Sequence, residues 1–365
     1  MRFLATCDPG LEEIAIQEVF ELTRNKAEIH HKGAIVFEGE EEDIFVLNYF
    51  SRSINRILIL LEESEFQDLK DIHRKIKAID FSSLIYPTQT FAIRAERFGT
   101  HNFTSLDVAR EAGQAVIDSY LESKNHRLKV NLKKPNITIR VEVRENKFFV
   151  GLDTTGEESL HKRWYRKFSS KAPLKSTIAY AMIKIAELKR EESMIDPFCG
   201  CGTIPIEAFL YLNNIPPNQH RSFDFVKFFF LDRSKFFEVI EKARKNERKN
   251  GLKIFGSDIK KGEIEKAIKN AEIARVKINF FQGDATKIEL NYDKIIADLP
   301  FGIRTERKNL KETYQGFFDN LKNYDWKKVV FITASEHLLP SLEISKSYEV
   351  EYGDLKAKIF VLTKK

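Results

Sequence analysis

The sequence predicts an α/β protein, in which the C-terminal half forms a doubly wound, mainly parallel sheet after an N-terminal α+β region. From about residue 174 onward, helical and strand-like segments alternate, as a doubly wound sheet requires. Two apolar segments in that half, 194–195 and 295–297, each lead through an aspartate into a turn containing Gly or Pro. Before residue 156 the chain reads as shorter strands and helices with no internal repeat, which indicates separate α+β units.

Length, charge and cysteine content limit the class of protein. The 365 residues suffice for two or three domains with a large core. The 60 Lys and Arg residues against 54 Asp and Glu give a net charge of +6, which permits a polyanionic partner without proving one. Three cysteines rule out a disulfide framework, and the pair Cys199 and Cys201 lacks the further ligands of a zinc site. No apolar run reaches the ~18 residues of a membrane helix, and no signal peptide opens the chain. We therefore expect a cytoplasmic monomer without a membrane or metal partner.

The N-terminal region is predicted to comprise residues 1–45 and a second unit, residues 46–155. Local patterns mark their elements, with alternation for strands and a Thr-Ser-Leu-Asp segment for a helix start. The predicted elements are a strand at 2–7, a helix at 10–22, strand-like residues at 34–38, a strand at 91–97, a helix at 105–119, and a hairpin of 137–143 with 147–152.

Cations and aromatic rings cluster within and just after the strand at 91–97. Arg94, Arg97, Phe98 and His101 lie within eight residues, as phosphate contacts and base stacking on a single strand require. The alternative is a solvated strand edge that its charges protect from pairing.

A basic and aromatic linker, residues 156–173, is predicted between the two halves. Its stretch 160–168 interleaves five basic positions with aromatic rings, whereas an ordinary linker favours Gly, Ser and Glu. We predict that Lys162, Arg163 and Arg166 contact RNA phosphates. The neighbouring rings of Trp164 and Tyr165 can equally pack at the domain interface.

Residues 194–208 have the form strand, glycine loop, helix. Asp196 opens the loop, and Gly200 and Gly202 permit positive φ and close approach of the backbone to a ligand. The helix from about Ile204 then points its N-terminal amides at that ligand. Taken alone the G-x-G pair is weak, because glycine turns between strand and helix are common.

A second turn follows the β-branched run before Asp298. At the carboxyl end of a strand in an open α/β sheet, side chains project into the crevice where ligands bind. The Asp298 carboxylate and the Leu299 carbonyl, locked by Pro300, can accept both N–H bonds of an exocyclic amine while Phe301 stacks on the base. Considered alone, this segment is equally compatible with a strand that ends in a tight proline turn.

Together, D-P-F-C-G-C-G-T at 196–203 and D-L-P-F at 298–301 resemble the motifs of amino-methyltransferases that use S-adenosylmethionine. The resemblance implies a Rossmann-like methyltransferase domain at 174–365. It also implies that A-P-L at 172–174 lies against the cofactor, although Pro173 alone indicates only a helix start. The residues that it assigns to cofactor binding are Ala172, Pro173, Leu174, Asp196, Cys199, Gly200, Gly202 and Thr203. The catalytic turn is Asp298, Leu299, Pro300 and Phe301.

Two further acids end predicted strands. Asp258 follows the strand at 253–255, where an acid holds the ribose hydroxyls, but it lies 62 residues after Asp196 instead of about 20 beyond the glycine loop. Either another acid such as Asp224 has this role, or an insertion intervenes. We favour an insertion at 222–249 containing a helix at 234–248, because no strand ends at Asp224.

Asp284 follows the strand at 278–281 and would accept a hydrogen bond from the adenine amine of the cofactor. A solvent-exposed turn aspartate is the alternative. The adjacent Ile259 and Ala285 complete the predicted cofactor contacts.

The 91–152 region carries a second resemblance. F-A-I-R-A-E-R-F-G-T-H-N-F-T-S-L-D, N-L-K-K-P-N and the closing hairpin are similar to the THUMP domain of RNA-modifying enzymes. With the first 45 residues, this region resembles the paired ferredoxin-like and THUMP modules that hold the 3′ end of tRNA.

The whole chain resembles the THUMP-containing tRNA guanine-N2 methyltransferases, in particular the archaeal enzymes that modify position 6 of the acceptor stem. Leu299 stands where many amino-methyltransferases have proline, which argues against DNA adenine methylation. The resemblance implies tRNA rather than DNA as partner. Another tRNA position, ribosomal RNA, and a non-catalytic RNA-binding protein remain alternatives.

Overall fold

The computed structural model describes residues 1–170, 173–248, 251–301, 310–352 and 355–364. The N-terminal elements are β1 (Arg2–Cys7), α1 (Glu12–Thr23), β2 (Ala27–His31), β3 (Ala34–Glu38), α2 (Glu41–Phe50), β4 (Ile54–Glu65), α3 (Leu69–Lys77), β5 (Thr90–Phe98), α4 (Ser105–Lys124), β6 (Lys129–Val130), β7 (Ile137–Arg144) and β8 (Lys147–Asp153). The C-terminal elements are α5 (Ser176–Ile185), β9 (Met194–Asp196), α6 (Thr203–Leu212), α7 (Arg233–Asn246), β10 (Ile254–Asp258), α8 (Lys261–Ala274), β11 (Asn279–Gln282), β12 (Lys294–Asp298), α9 (Leu310–Leu321), β13 (Lys328–Thr333), β14 (Lys346–Tyr352) and β15 (Leu355–Thr363).

The described N-terminal strands form one eight-stranded sheet in the order β2-β3-β1-β4-β8-β7-β5-β6. The long strand β4 joins its two parts, because it pairs antiparallel with β1 on one side and with β8 on the other. Helices α1 to α4 pack with the sheet in a single apolar core. The sheet is therefore continuous across residue 45, where we drew a domain boundary that stays a prediction.

The described C-terminal strands form a seven-stranded sheet in the order β11-β10-β9-β12-β13-β15-β14, in which β15 alone runs antiparallel to its neighbours. Its two faces are both covered, as alternate residues of β12 show: Ile296 packs with α5 and α6, whereas Ile295 and Ala297 pack with α9. This arrangement confirms the doubly wound, mainly parallel α/β fold. The strand order reverses between β9 and β12, which places a crevice at their carboxyl ends.

The insertion predicted before β10 is present and packs away from this sheet. Its helix α7 runs over residues close to the predicted 234–248 and lies against α2. Phe225, Phe228 and Val239 join the apolar core of the N-terminal sheet. The Phe225 amide also donates to the Thr154 carbonyl at 3.0 Å. The insertion thus fastens the second half of the chain to the first.

Candidate active site and nucleic-acid interface

Four neighbouring strands, β11, β10, β9 and β12, carry an acid at their carboxyl ends or within two residues of them. These acids are Asp284, Asp258, Asp196 and Asp298. Because parallel strands end at the same edge, the structure brings the four predicted acids to one edge of the sheet, where open α/β sheets bind their ligands. Asp196 is 1% exposed, and burial, followed by the charges of Asp298 and Asp258, raises its pKa well above the ordinary value.

The glycine loop adopts the backbone conformation that the sequence predicts. Gly200 and Gly202 have φ of 49° and 86°, and Gly202 directly precedes α6, which begins at Thr203. A Cβ added to Gly202 would lie 3.1 Å from both Ala267 Cβ and Phe280 Cζ, so the packing also favours glycine there. The Cys199 thiol is buried, and its pKa is raised by burial and then by Asp196.

Asp258 braces this loop from the next strand. Its carboxylate accepts from the Gly200 amide at 3.1 Å and from the Lys260 amide at 2.9 Å. Burial outweighs these hydrogen bonds and raises the pKa of Asp258. The alternative acid, Asp224, lies in the insertion, where it pairs with Lys227 at 2.6 Å. The structure therefore places Asp258, and not Asp224, at the crevice beside the exposed Ile259.

Asp284 is half-buried, and its carboxylate accepts from the Thr286 amide at 3.0 Å and hydroxyl at 2.8 Å. Burial raises the pKa of Asp284, but these hydrogen bonds and Lys287 lower it by more, so the net direction is downward. Ala285 is buried behind it. Asp284 is thus an ionised acceptor that also begins a turn.

The turn after β12 contains a carboxylate with an unused acceptor. Asp298 Oδ1 is buried and has no hydrogen-bond partner within the described residues, and burial raises the pKa of Asp298 to about 7. The buried Leu299 anchors the turn through its amide, which donates to the Ile332 carbonyl at 3.1 Å. A buried, unpartnered carboxylate oxygen at a crevice fits an N–H donor from a bound molecule.

The segment predicted to lie against the cofactor is described only in part. Ala172 lies outside the described residues. Leu174 is buried just before α5, and its carbonyl accepts from Arg166 Nη1 at 2.7 Å. Ser170 Oγ lies 3.5 Å from the position of a Cβ on Gly200, which places the end of the linker beside the glycine loop.

The prediction that Arg163 contacts RNA is wrong. Its side chain is fully buried, and its Nε and Nη2 donate to the Glu207 carboxylate of α6 at 3.0 and 3.3 Å. It also donates to the Arg52 carbonyl of the N-terminal region at 3.1 Å. Tyr165 is equally buried and donates to Glu207 at 2.8 Å, so this ring packs at the interface. The charge that we assigned to phosphate binding instead joins the two halves.

The other predicted RNA contacts remain at the surface. Lys162 is exposed and Arg166 is half-buried. Arg97 Nη1 lies 3.0 Å from His101 Nδ1, and the His101 ring stacks on Phe103 with centroids 4.9 Å apart. Arg97, His101 and Phe103 therefore form a connected basic and aromatic cluster in and just after β5.

A groove of about 490 Å³ runs along the open face of the N-terminal sheet, lined by five Lys and Arg side chains and by Glu96, Glu142 and Glu351. Predicted residues Arg94 and Phe98 line it, and the Arg144 guanidinium lies 3.9 Å from the centre of the Phe98 ring. The sequence reasoning missed Arg140 and Arg144, although both alternate with buried residues in I-T-I-R-V-E-V-R. In the sheet, Arg140 lies directly opposite Arg94. That alternation was the signal for a charged sheet face, on which Glu142 lies between the two arginines and pairs with Arg144.

Neither a metal-binding cluster nor a membrane-spanning helix occurs within the described ranges. No group of three or more His, Cys, Asp or Glu side chains there is arranged to hold a metal ion. No helix in the same ranges is long and apolar enough to cross a membrane.

Known proteins resemble the chain over almost its full length. Residues 163–353 match the RMKL-like methyltransferase domain, residues 66–153 match the THUMP domain, and residues 2–58 match the RlmL ferredoxin-like domain. The tRNA (guanine(6)-N2)-methyltransferase of Archaeoglobus fulgidus is 41% identical over 99% of this chain and 92% of its own length. The enzyme of the same description from Methanocaldococcus jannaschii is 38% identical over the whole of both chains.

A solved structure, a possible methylase from Clostridium difficile 630, is 28% identical, with a TM-score of 0.91 over 100% of this chain and 98% of its own. The fold and the glycine-loop site thus define an S-adenosylmethionine-dependent methyltransferase. The THUMP domain and the relatives that match over nearly the full length identify the family. The chain belongs to the tRNA guanine-N2 methyltransferases.

Proposed function

We propose that this protein methylates the exocyclic N2 amine of guanosine at position 6 of tRNA, giving N2-methylguanosine. The observation that carries the proposal is the turn after β12, whose Asp298 Oδ1 is buried without a partner among the described residues. The archaeal relatives described as acting on guanine 6 support the choice of base and position.

S-adenosylmethionine supplies an electrophilic methyl group bound to a sulfonium. The chain's own residues orient the acceptor amine, whose lone pair is delocalised into the guanine ring. Asp298 and the Leu299 carbonyl accept the two N–H bonds, which directs the nitrogen and offsets its developing positive charge. The proton leaves late, to Asp298 or to water. A base paired in the acceptor stem must be flipped out at a cost of a few kcal/mol, and stacking on Phe301 returns roughly 1–3 kcal/mol.

In this proposal the cofactor binds between the glycine loop and the acids at the ends of the neighbouring strands. Asp258 holds the ribose hydroxyls and Asp284 accepts from the adenine amine. Asp196, with its raised pKa, lines the loop behind them. The remaining proposed contacts are Pro173, Leu174, Cys199, Gly200, Gly202, Thr203, Ile259 and Ala285.

Substrate RNA is held by the N-terminal sheet and the linker. The proposed contacts are Arg94, Arg97, Phe98, His101, Lys162 and Arg166, with Arg140 and Arg144 added from the groove. The enzyme acts in this proposal as a cytoplasmic monomer on RNA and not on DNA, and without a metal.

Nucleoside mass spectrometry tests the function directly. Purified protein is incubated with labelled S-adenosylmethionine and a tRNA transcript with guanosine at position 6, beside the same transcript with adenosine there. We expect labelled N2-methylguanosine in the first transcript alone. Label in both transcripts would move the reaction to another position. Label that appears only with ribosomal RNA would favour that substrate, and no label in any RNA would contradict the proposal.

A further inference from the structure

A buried chain of hydroxyl groups lies behind the turn that contains Asp298. Tyr314 of α9 is 1% exposed, and its hydroxyl lies 3.0 Å from the Pro300 carbonyl and 2.7 Å from Thr333 Oγ1. Thr333 ends β13, the strand next to β12, and its Oγ1 accepts from the Ser335 amide at 2.8 Å. These groups come from two elements that nothing in the sequence motifs marks as functional.

The direction of the hydrogen bonds follows from counting protons. The Tyr314 hydroxyl has one proton, and the Pro300 carbonyl can only accept, so Tyr314 donates to it. Thr333 must then donate its own proton to the Tyr314 oxygen. Burial raises the pKa of Tyr314 to about 12, so this donor keeps its proton at neutral pH. The chain therefore runs from the Ser335 amide through two hydroxyls to the turn.

A second hydroxyl holds the next peptide of the same turn. Ser335 Oγ donates to the Phe301 carbonyl at 2.9 Å. Two successive carbonyls are thus fixed, on either side of Phe301, while the Pro300 ring fixes its own φ. Fixing both peptide planes sets the direction of the Phe301 Cα–Cβ bond and restrains the turn that carries the Leu299 carbonyl.

We propose that Tyr314 and Thr333 are positioning residues for the methyl transfer, which hold the turn of residues 298–301 in the geometry that receives the target base. This inference rests on the proposed function of that turn. Neither residue touches the base in this arrangement. Each acts through the Pro300 carbonyl, and a small error in the placement of the amine is costly because in-line transfer depends on close alignment.

Single hydroxyl deletions test the proposal without changing core volume greatly. In Tyr314→Phe the ring stays in the core formed with α9, but the Pro300 carbonyl loses its donor. We expect kcat to fall about tenfold, the scale for leaving one buried polar group unpaired. KM for tRNA and affinity for S-adenosylmethionine should stay within twofold, because in the proposed function other residues hold the phosphates and the cofactor. Thr333→Val should lower kcat similarly, and Thr333→Ser, which keeps the hydroxyl, should restore it.

The double variant Tyr314→Phe with Thr333→Val distinguishes one chain from two separate effects. If both residues act through the same carbonyl, it should be no slower than the slower single variant. Tyr324→Phe is the matched control, because its ring belongs to the same core but follows the other end of α9. Its kcat should equal that of the wild type.

Two results would overturn the inference. One is a Tyr314→Phe enzyme with wild-type kcat. The other is a loss of kcat in the single variants that parallels a loss of cofactor affinity and thermal stability, together with a Thr333→Ser enzyme as slow as Thr333→Val. A general packing defect would give that result. Wild-type protein that transfers no methyl group to tRNA would instead remove the proposed function itself, so the two failures are distinguishable.

Discussion

Asp298 lies at the end of β12 with one carboxylate oxygen buried and unpartnered in the described part of the chain, and burial raises its pKa to about 7. An ordinary strand-end aspartate in water would be fully ionised at that pH. The unusual pKa and the unused acceptor have the same cause, since no donor among the described residues compensates Oδ1 for the lost hydration. In the proposed function, the exocyclic amine of the bound guanine would supply that donor.

Removal of this carboxylate should abolish most of the reaction. Asp298→Ala is expected to lower turnover at least ~100-fold, the scale for loss of one positioned electrostatic group. Calorimetry should show almost unchanged affinity for S-adenosylmethionine, because Asp298 faces the base. Near-normal turnover in the variant would show that the active site is elsewhere.

The rate should also depend on the charge of Asp298. If the ionised form accepts from the amine, kcat/KM should fall about tenfold per pH unit below pH 7 and level off above it. Rates of the wild type and of Asp284→Asn at saturating cofactor between pH 5.5 and 8.5 test this. The control should retain the profile, because the pKa of Asp284 is lowered away from this range. A flat profile in the wild type would contradict the assignment.

The raised pKa of Asp298 also makes the stability of the fold depend on pH. Asp298 binds its proton more tightly in the folded state than in the unfolded state, where the pKa is about 4. Its favourable effect is therefore complete below about pH 4 and is lost as the pH rises through 7. The free energy of unfolding of the wild type, measured against Asp298→Asn, should decline across that window. An unchanged difference would show that the carboxyl is not buried in solution.

The ribose acid can be tested against its alternative. Asp258→Ala should weaken S-adenosylmethionine binding by about 1.5–3 kcal/mol, through loss of a charged partner. Asp224→Ala should not, since its carboxylate pairs with Lys227 in the insertion. Calorimetry on both variants decides the matter, and a loss at Asp224 alone would reverse the assignment.

At the scale of elements, short sequence patterns predicted those strands and turns whose conformation depends on neighbouring residues. The strand β12, the glycine loop and the hairpin of β7 with β8 each follow from short patterns, and the structure confirms all three. Helix α4 begins at the predicted Ser105 because Thr104 and Asp107 form a capping box, but it continues beyond the predicted end to Lys124.

Tertiary partners explain the failure at Arg163. Its partner Glu207 lies 44 residues away on α6, and no pattern within the linker shows that the two meet. The hydroxyl chain of Tyr314 was equally hidden, since α9 and β13 meet the catalytic turn only in the folded sheet. Sequence spacing predicted which strand ends carry acids, but not which side chains support them.

The linker contact predicts a loss of stability and not of RNA affinity. Arg163→Ala leaves the Glu207 carboxylate buried without its main cation, which typically costs about 3–5 kcal/mol. Chemical denaturation should show this loss, whereas the adjacent, exposed Lys162→Ala should be almost neutral. Equal stability of the two variants would mean that the ion pair does not hold the halves together.

At the scale of the whole molecule, the two halves are fastened by buried polar contacts. Arg52 Nη2 donates to the Leu210 and Ile215 carbonyls at 3.2 and 2.6 Å. Asp8, at the end of β1, accepts from Lys175 at 3.0 Å, just before α5. The N-terminal sheet is thereby held in a fixed relation to the strand ends that carry the four acids. In the proposed function, the distance between the RNA contacts and the turn at Asp298 would then select the substrate.

The proposed phosphate contacts of the N-terminal half and the linker should be visible in the salt dependence of tRNA binding. Removal of a cation that contacts a phosphate makes the slope of log affinity against log salt shallower by roughly one unit or somewhat less. Arg94→Ala and Lys162→Ala should each flatten the slope for tRNA in this way, since both side chains are exposed. Affinity for S-adenosylmethionine should not change, because neither residue lies at the crevice.

Lys322→Ala is the control, because this exposed lysine follows α9 in the methyltransferase half and pairs with Asp319. Its slope should match that of the wild type. An unchanged slope in Arg94→Ala and Lys162→Ala would show that the N-terminal face does not grip the phosphates. The slope of folded Arg163→Ala should also be unchanged, because a guanidinium buried against Glu207 releases no counterion when RNA binds.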